Sequence, residues 1–213
     1  MRRPSLRITR LRTGEHALLR GLYDAYLAEL VTFGAACRRR DDGRWEYRSP
    51  GGSWDLDHLP YWLSPGIEHV VLIFRLGREP VGFAMVGLRP ASWMSPGTDA
   101  TLSEFYVVPH ARRRGIGETV ARRILRRFHG LWEIGQVPGN APAIVFWRAV
   151  IGRFTGGRFE ELEVRGGPAQ RFTSGRPPRR ATRRARRRRA PLGGVRRLRA
   201  TRRSRGGARG GRR

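Results

Sequence analysis

The stretch TLSEFYVVPHARRRGIGETVARRIL, from Thr101 to Leu125, predicts a strand, a turn and a helix in succession. Its first part, Leu102 to Val108, is rich in aromatic and β-branched residues and ends at Pro109, which cannot donate to a sheet ladder. After the turn, apolar side chains recur at every fourth position, at Ile116, Val120, Ile124 and Phe128. This spacing is typical of an amphipathic helix.

The turn between this strand and this helix is Arg112-Arg113-Arg114-Gly115-Ile116-Gly117. A helix N-terminus offers unpaired N–H groups and partial positive charge, and glycine lets a bulky anion approach the backbone. The turn is therefore a candidate phosphate site, although the same residues also suit an ordinary turn with solvated arginines. The dinucleotide fingerprint G-x-G-x-x-G fails at Val120, and the chain has no Gly-Lys-Ser/Thr for a P-loop.

The pattern Arg-x-x-Gly-x-Gly after a strand resembles the coenzyme A pyrophosphate loop of the GNAT superfamily of N-acetyltransferases. One predicted strand later, Asn140-Ala-Pro-Ala-Ile-Val-Phe-Trp147 is similar to the superfamily's Asn-x-x-Ala-x-x-apolar-aromatic helix. Two such motifs in the right order are more specific than either motif alone. The resemblance covers residues 5 to 175 and is strongest to an uncharacterised bacterial subgroup.

The resemblance implies an acetyl-CoA-dependent N-acetyltransferase without a metal, and it assigns parts of the cosubstrate to this strand and turn. The pantetheine arm is expected to pair with backbone groups of Tyr106 and Val108, and the pyrophosphate is expected in the turn. The candidate cofactor-binding residues are Tyr106, Val107, Val108, Arg112, Arg113, Arg114, Gly115, Ile116, Gly117 and Asn140.

Acetyl transfer to a primary amine requires a base, because the amine is protonated at neutral pH. The superfamily commonly uses a glutamate on or near the central strand, and Glu104 has such a position. Period-two alternation puts Glu104 on the same face of the strand as Tyr106. The alternative is that Glu104 pairs with one of the many arginines, in which case Glu133 on the following strand is the next candidate.

The departing thiolate also needs a proton. The superfamily often places a tyrosine seven residues after the asparagine that opens the last motif helix, but this chain has Trp147 there. Indole cannot donate a proton to a thiolate at useful pH. The expected catalytic residues are Glu104 as base and Tyr106 as acid; the alternatives are that water is the acid or that turnover is slow.

The end of the chain differs sharply from the rest. Arg176 to Arg213 contains 18 of the 44 basic residues and no acidic one, so it supplies +18 of the formal charge of +27. It also lacks aromatic residues, and too little apolar surface is present to offset the entropy of ordering it. We expect a GNAT-like domain over residues 1–175 and a disordered arginine-rich tail over residues 176–213. The tail could hold nucleic acid non-specifically; the alternatives are a solvated tail without a role and an extension from a shifted reading frame.

The order of predicted elements is β-α-(loop or helix)-β-β-β-α-β-α-β-β, an α/β or α+β pattern with a mixed sheet. The resemblance makes it a GNAT-like, mostly antiparallel sheet flanked by helices, with two central strands splayed apart. Tyr23 and Tyr26, on the first helix, are expected to be core residues, with a place in the acceptor site as the alternative. Residues 33–66 show no clear period, and their aromatic residues either line an acceptor pocket or form a small core of their own.

Several other kinds of site and location are disfavoured. Asp55, Asp57 and His58 lack the second ligand cluster that a metal site needs. The single cysteine, Cys37, rules out an intramolecular disulfide and suits a reducing compartment. No apolar run approaches the length of a membrane span, and the N-terminus has no apolar signal-peptide core. The expected location is the cytoplasm.

The resemblance thus implies transfer of an acetyl group from acetyl-CoA to a primary amine, by direct attack in a ternary complex. The alternative is a basic nucleic-acid-associated protein whose GNAT-like domain binds without turnover. The acceptor stays open among a small polyamine, an antibiotic, an amino acid and a protein N-terminus. A homodimer also stays open.

Overall fold

The computed structural model of the chain describes residues 4–49 and 51–175. The predictions for the arginine-rich tail fall outside these residues. The described strands are β1 (Leu6–Arg10), β2 (Cys37–Arg39), β3 (Trp45–Arg48), β4 (Trp54–Leu56), β5 (His69–Leu76), β6 (Glu79–Leu88), β7 (Ala100–Val107), β8 (Gly130–Gly135), β9 (Glu160–Val164) and β10 (Gly167–Ser174). The described α-helices are α1 (His16–Thr32), α2 (Leu59–Leu63), α3 (Ile116–Arg127) and α4 (Ala141–Thr155).

Seven of these strands form the central sheet, in the order β1-β5-β6-β7-β8-β10-β9. Every neighbouring pair in it is antiparallel except β7 and β8, which are parallel. Those two strands pair only at Ala100 with Trp132 and at Thr101 with Glu133, although β7 continues to Val107. The two strands therefore separate toward the C-terminal half of β7. The predicted fold class and the splayed central strands are confirmed.

Each face of the central sheet is covered by a core of its own. On one face α3 and α4 pack over the sheet, and this core includes Leu72, Val86, Val107, Ile124, Trp132 and Val150. On the other face α1 packs over the sheet, and this core includes Leu19, Leu27, Trp45, Trp62, Ile73 and Met85. We call these the α3–α4 face and the α1 face. Ile116, Val120 and Ile124 of α3 are buried as the helical period predicts.

A β-bulge in β7 decides which face Glu104 occupies. Met85 of β6 pairs with Glu104, whereas the next residue, Val86, pairs with Leu102, so Ser103 is an extra residue in β7. A bulge interrupts the alternation of side chains between the two faces. Leu102 consequently belongs to the core under α3 and α4, whereas Glu104 lies on the α1 face, where it contacts Tyr26.

The described residues between 33 and 66, expected as a loop or a helix, contain three short strands that the sequence did not predict. The strands β2, β3 and β4 form a separate antiparallel sheet there, and α2 follows it. These strands have three or four residues each, too few to establish a recognisable period. Their turns do coincide with the predicted turn residues, since Gly43 and Gly52 have positive φ angles of 80° and 86°.

Candidate active site

Glu104 of β7 is partly buried, and a tyrosine of α1 contacts it. The hydroxyl of Tyr26 donates a hydrogen bond to Oε2 of Glu104. Burial raises the pKa of Glu104 to about 7, and the hydrogen bond from Tyr26 opposes part of that rise. A carboxyl group with this pKa is partly ionised at neutral pH and can accept a proton there.

The alternative role for Glu104, an ion pair with an arginine, is not found among the described residues, since no arginine there lies within 4.0 Å of its carboxylate. Glu133 of β8 has that kind of partner instead. Its carboxylate receives a hydrogen bond of 2.5 Å from Nη2 of Arg171 and another of 2.5 Å from Oγ of Ser95. Glu133 is 6% exposed, so it is a buried carboxylate with compensated charge.

The other titratable groups around Glu104 stay neutral at neutral pH. Burial raises the pKa of Tyr23, Tyr26 and Tyr47 above their ordinary values. Burial also raises the pKa of the Cys37 thiol to about 11, with a smaller contribution from Glu104. Tyr23 and Tyr47 share a hydrogen bond of 3.0 Å between their hydroxyls. Glu104 is therefore the member of this group that titrates near neutral pH.

Tyr106, the predicted acid, lies on the same α1 face and is 5% exposed. The ring centroid of Tyr106 is 5.7 Å from that of Tyr26. The guanidinium carbon of Arg112 is 5.4 Å from the same Tyr106 centroid. Burial and the nearby Glu29 raise the pKa of Tyr106, and Arg112 partly offsets that rise. Tyr106 thus keeps its proton at neutral pH, as an acid must.

The turn after β7 presents backbone N–H groups at the start of α3. Arg113 and Gly115 have positive φ angles of 57° and 73°, and a left-handed conformation at position 115 suits glycine. The N–H of Thr119 donates to the carbonyl of Gly115 at 3.0 Å, so the N–H groups of residues 116–118 precede the first hydrogen bond of the helix. Such a turn is a favourable site for a phosphate.

The three arginines of the turn differ in their engagement. Arg113 and Arg114 are exposed, and neither forms an ion pair with any residue in the described ranges. Arg112 forms two hydrogen bonds with the carboxylate of Glu29 in α1, at 2.8 and 2.6 Å. Its Nε also donates to the carbonyl of Val107 at 2.7 Å. Arg113 and Arg114 thus have cationic groups free for an anion, whereas Arg112 links α1 to the end of β7.

The backbone groups at the end of β7 point alternately toward β6 and toward the gap beside β8. The N–H of Val108 donates to the carbonyl of Val81, on the β6 side, at 3.0 Å. In an antiparallel pair, the backbone N–H and C=O groups of every second residue bond to the same neighbouring strand. Because Val108 bonds to the β6 side, the backbone groups of Tyr106, two residues earlier, also point toward β6. The backbone groups of Val107 and Phe105 consequently face the gap between β7 and β8. The backbone groups of Tyr106 and Val108, which were expected to pair with pantetheine, thus face β6, and the place of pantetheine on this strand stays a prediction.

Gly117 lies where α3, α4 and the end of β7 meet. A Cβ atom built on Gly117 would be 3.4 Å from the ring of Phe146 and 3.9 Å from Cγ2 of Val107. Phe146 in turn stacks on Phe105 with a centroid distance of 6.0 Å. A side chain at position 117 would therefore point toward the gap that the separated strands leave, rather than toward bulk solvent.

The second motif also has a definite local structure. The side-chain oxygen of Asn140 accepts a hydrogen bond from the N–H of Ala143 at 3.1 Å, which caps α4. Trp147 is buried, with its ring centroid 5.1 Å from that of Phe105. Asn140 thus has a structural role as a cap, and its assignment to the cofactor site stays a prediction.

Sequence reasoning did not predict the contacts that Tyr26 and Glu29 make at the site. Both lie on one face of α1, three residues apart, and they contact Glu104 and Arg112 respectively. Tyr26 was expected in the core, and it does pack against Phe83 of that core. Its hydroxyl, however, reaches Glu104, which lies 78 positions later in the chain. Nothing in the local sequence of α1 indicates that contact.

Within the part of the chain that the structure describes, no group of three or more His, Cys, Asp or Glu side chains is arranged to hold a metal ion. No helix among those residues is long and apolar enough to cross a membrane.

Comparisons with known proteins agree with the architecture. A family model described as the acetyltransferase (GNAT) family matches residues 38–152, more than half of the chain. No curated protein matches the chain.

Among solved structures, an acetyltransferase from Thermus thermophilus superposes with a TM-score of 0.56 at 16% identity, covering 81% of this chain and 99% of that one. The Salmonella typhimurium protein yncA, named as an acetyltransferase and solved with acetyl-CoA, gives a TM-score of 0.51 at 15% identity, covering 81% and 95%. The aminoglycoside acetyltransferase AAC(6')-Ib, solved with coenzyme A, gives a TM-score of 0.50 at 14% identity, covering 79% and 95%. At these identities the likeness shows a shared fold.

Proposed function

Since the chain belongs to the acetyltransferase (GNAT) family, we propose that it transfers the acetyl group of acetyl-CoA to a primary amine, by direct attack in a ternary complex. The observation that carries this proposal is the position of Glu104. It is a carboxyl group with a pKa of about 7, on the strand that separates from its parallel neighbour. A base is thereby available beside a gap in the sheet that can admit a slender cosubstrate.

The residues near that gap fit acetyl-CoA. The N–H groups at the start of α3, together with Arg113 and Arg114, offer positive potential to the pyrophosphate. The backbone groups of Val107 face the gap and are suited to the amides of the pantetheine arm. Acetyl-CoA supplies an activated acetyl group as a thioester.

Glu104 then acts on the acceptor. In its ionised form it takes a proton from the ammonium group, which leaves a nucleophilic amine. The tyrosines around Glu104 are neutral at neutral pH, so Glu104 is the group among them that can carry a negative charge toward the incoming ammonium group. Tyr106, which keeps its proton at neutral pH, is the proposed acid for the thiolate, with water as the alternative.

A panel of amines assayed by thiol release tests the proposal. The full chain is incubated with acetyl-CoA and, in turn, with a polyamine, an aminoglycoside, amino acids and peptides with free N-termini. We expect amine-dependent release of coenzyme A together with an acetylated product detected by mass spectrometry. Binding of acetyl-CoA without amine-dependent release across the whole panel would contradict the proposed transfer.

We also propose that the protein works in the cytoplasm. Cys37 is a free, buried thiol, which is compatible with a reducing compartment. Fractionation of cells that produce the native protein, with a cytoplasmic marker enzyme as reference, checks this location.

A further inference from the structure

The contact between Tyr26 and Glu104 joins two elements that are distant in the chain. Its donor is on α1 and its acceptor is on the strand that opens the central sheet. We propose that Tyr26 is a positioning residue, which holds one oxygen of the Glu104 carboxylate and leaves the other oxygen free for the acceptor amine. The inference rests on the proposed function, because it assigns a helper to the proposed base.

The ring of Tyr26 has little freedom to move. Its centroid lies 6.2 Å from that of Tyr23, 5.7 Å from that of Phe83 and 5.7 Å from that of Tyr106. The Phe83 contact is edge-on, with an interplanar angle of 88°. Aromatic rings in such arrangements restrain each other. The hydroxyl of Tyr26 is therefore held at a fixed place above β7.

The backbone that carries Tyr26 is restrained as well. One turn further along α1, Glu29 forms its paired hydrogen bonds with Arg112. Arg112 in turn holds the carbonyl of Val107, at the end of the same strand that carries Glu104. The helix is thus tied to β7 at two points, one through Tyr26 and one through Glu29.

The groups facing Glu104 leave Tyr26 as its specific partner. Those groups come from α1, β2, β3 and β7, and they are Tyr23, Tyr26, Cys37, Tyr47 and Tyr106. The charged groups that act on members of this set are Asp57, on Tyr23, and the Glu29–Arg112 pair, on Tyr106; Asp24, next to Tyr23 on α1, accepts a hydrogen bond from Trp45 of the same core. Burial favours the protonated carboxyl, whereas the Tyr26 hydrogen bond favours the carboxylate.

Tyr26→Phe is the decisive variant, because it removes the hydroxyl and keeps the ring. We expect the inflection in the pH profile of kcat/KM for the acceptor to move upward by about 1 to 2 units, as loss of a hydrogen bond to a charged group implies. The rate at pH 7 then falls about 5- to 50-fold, and it recovers toward the wild-type plateau at higher pH.

Tyr23→Phe is the matched control. Tyr23 is on the same helix and in the same core, but its hydroxyl bonds to that of Tyr47 and not to Glu104. We expect this variant to keep the wild-type inflection. An unmoved inflection in Tyr26→Phe, or the same shift in both variants, would overturn the inference.

A titration that needs no activity separates this inference from the proposed function. The carboxyl carbon of Glu104 is followed by ¹³C NMR in glutamate-labelled protein and assigned by its absence in Glu104→Gln. We expect a higher pKa for Glu104 in Tyr26→Phe than in the wild type and in Tyr23→Phe. If Tyr26→Phe shows this shift in the pKa of Glu104 but Glu104→Gln keeps full turnover, the proposed role of Glu104 as base is wrong. An unchanged titration in Tyr26→Phe means that Tyr26 does not control the carboxyl group.

Discussion

The two faces of β7 offer very different surroundings to neighbouring residues. Phe105 and Val107 point into the apolar core under α3 and α4, where Phe105 packs against Phe146 and Trp147. Glu104 lies on the α1 face, among tyrosines and hydroxyl groups. The bulge at Ser103 makes this division possible, because it moves Glu104 away from the face that Leu102 occupies.

This difference assigns separate tasks to the two faces. The α3–α4 face meets the turn at Gly117 and is suited to holding the cosubstrate. The α1 face holds Glu104, whose pKa is about 7, and is suited to proton transfer. A substitution on the α3–α4 face should therefore change acetyl-CoA affinity, whereas a substitution on the α1 face should change turnover.

The largest effect is expected from Glu104→Gln on the α1 face. Loss of the base should lower turnover by roughly 10² to 10⁴, the usual span for general acid–base catalysis, with acetyl-CoA affinity little changed. The rise of kcat/KM with pH through about 7 should also disappear, because the wild-type rate follows ionisation of Glu104. Steady-state kinetics between pH 5 and 9 measure both effects.

Glu133→Gln is the matched control for this variant. It also removes a buried carboxylate from a central strand, but that carboxylate is paired with Arg171. We expect a loss of stability, since Arg171 is left without its partner, and little change in turnover at temperatures where the variant is folded. The division between the two faces is wrong if Glu133→Gln loses turnover and Glu104→Gln keeps it.

The next effect is expected from Gly117→Glu on the α3–α4 face. Its side chain would point at Phe146 and Val107, into the gap where the cosubstrate is proposed to pass. We expect acetyl-CoA affinity to fall by roughly 10² or more, corresponding to the loss of a few hydrogen bonds and to repulsion of the pyrophosphate. Isothermal titration calorimetry on the folded variant measures the loss.

Thr119→Glu controls for the added charge in this experiment. Thr119 is exposed in the same first turn of α3, so a carboxylate there is solvated rather than packed against Phe146 and Val107. We expect a much smaller loss of affinity. Equal losses in the two variants would indicate a general electrostatic effect, and unchanged affinity in folded Gly117→Glu would refute the assignment of the turn.

A smaller effect concerns stability. The folded pKa of Glu104 is about 7 and its ordinary value is 4.5, so its protonated form is favoured by folding. The resulting stability is fully present below pH 4.5 and is lost as pH rises through about 7, by about 3 kcal/mol in total. Glu104→Gln should therefore gain stability relative to the wild type between pH 4.5 and 8. Urea unfolding at several pH values checks the trend, and a difference that does not vary with pH would contradict the buried-carboxyl account.

The sequence predicted the segment from β7 to α4 well because its signals are local. The period of α3, the glycines of the turn and the cap at Asn140 each depend on residues close together in the chain. The bulge at Ser103 could not be predicted, since it arises from pairing with β6. The contact of Tyr26 with Glu104 is equally non-local, and β2 to β4 are too short to show a period.

The smallest effect is expected from removal of residues 176–213, which we propose to be a unit separate from the acetyltransferase domain. Ser174, the last residue of β10, pairs with Gly130, and its hydroxyl donates to the carbonyl of Leu125. Because β8 is parallel to β7, Gly130 lies toward the N-terminal end of β7, away from the turn at Gly117. A chain shortened to end at Gly175 keeps these contacts and should keep acetyl-CoA affinity and Tm within error.

If the full chain binds duplex DNA, the log-log slope of its affinity against salt should be about −0.9 per phosphate neutralised, and the shortened chain should lose most of that binding. Loss of acetyl-CoA affinity in the shortened chain would show that residues 176–213 contribute to the acetyltransferase domain.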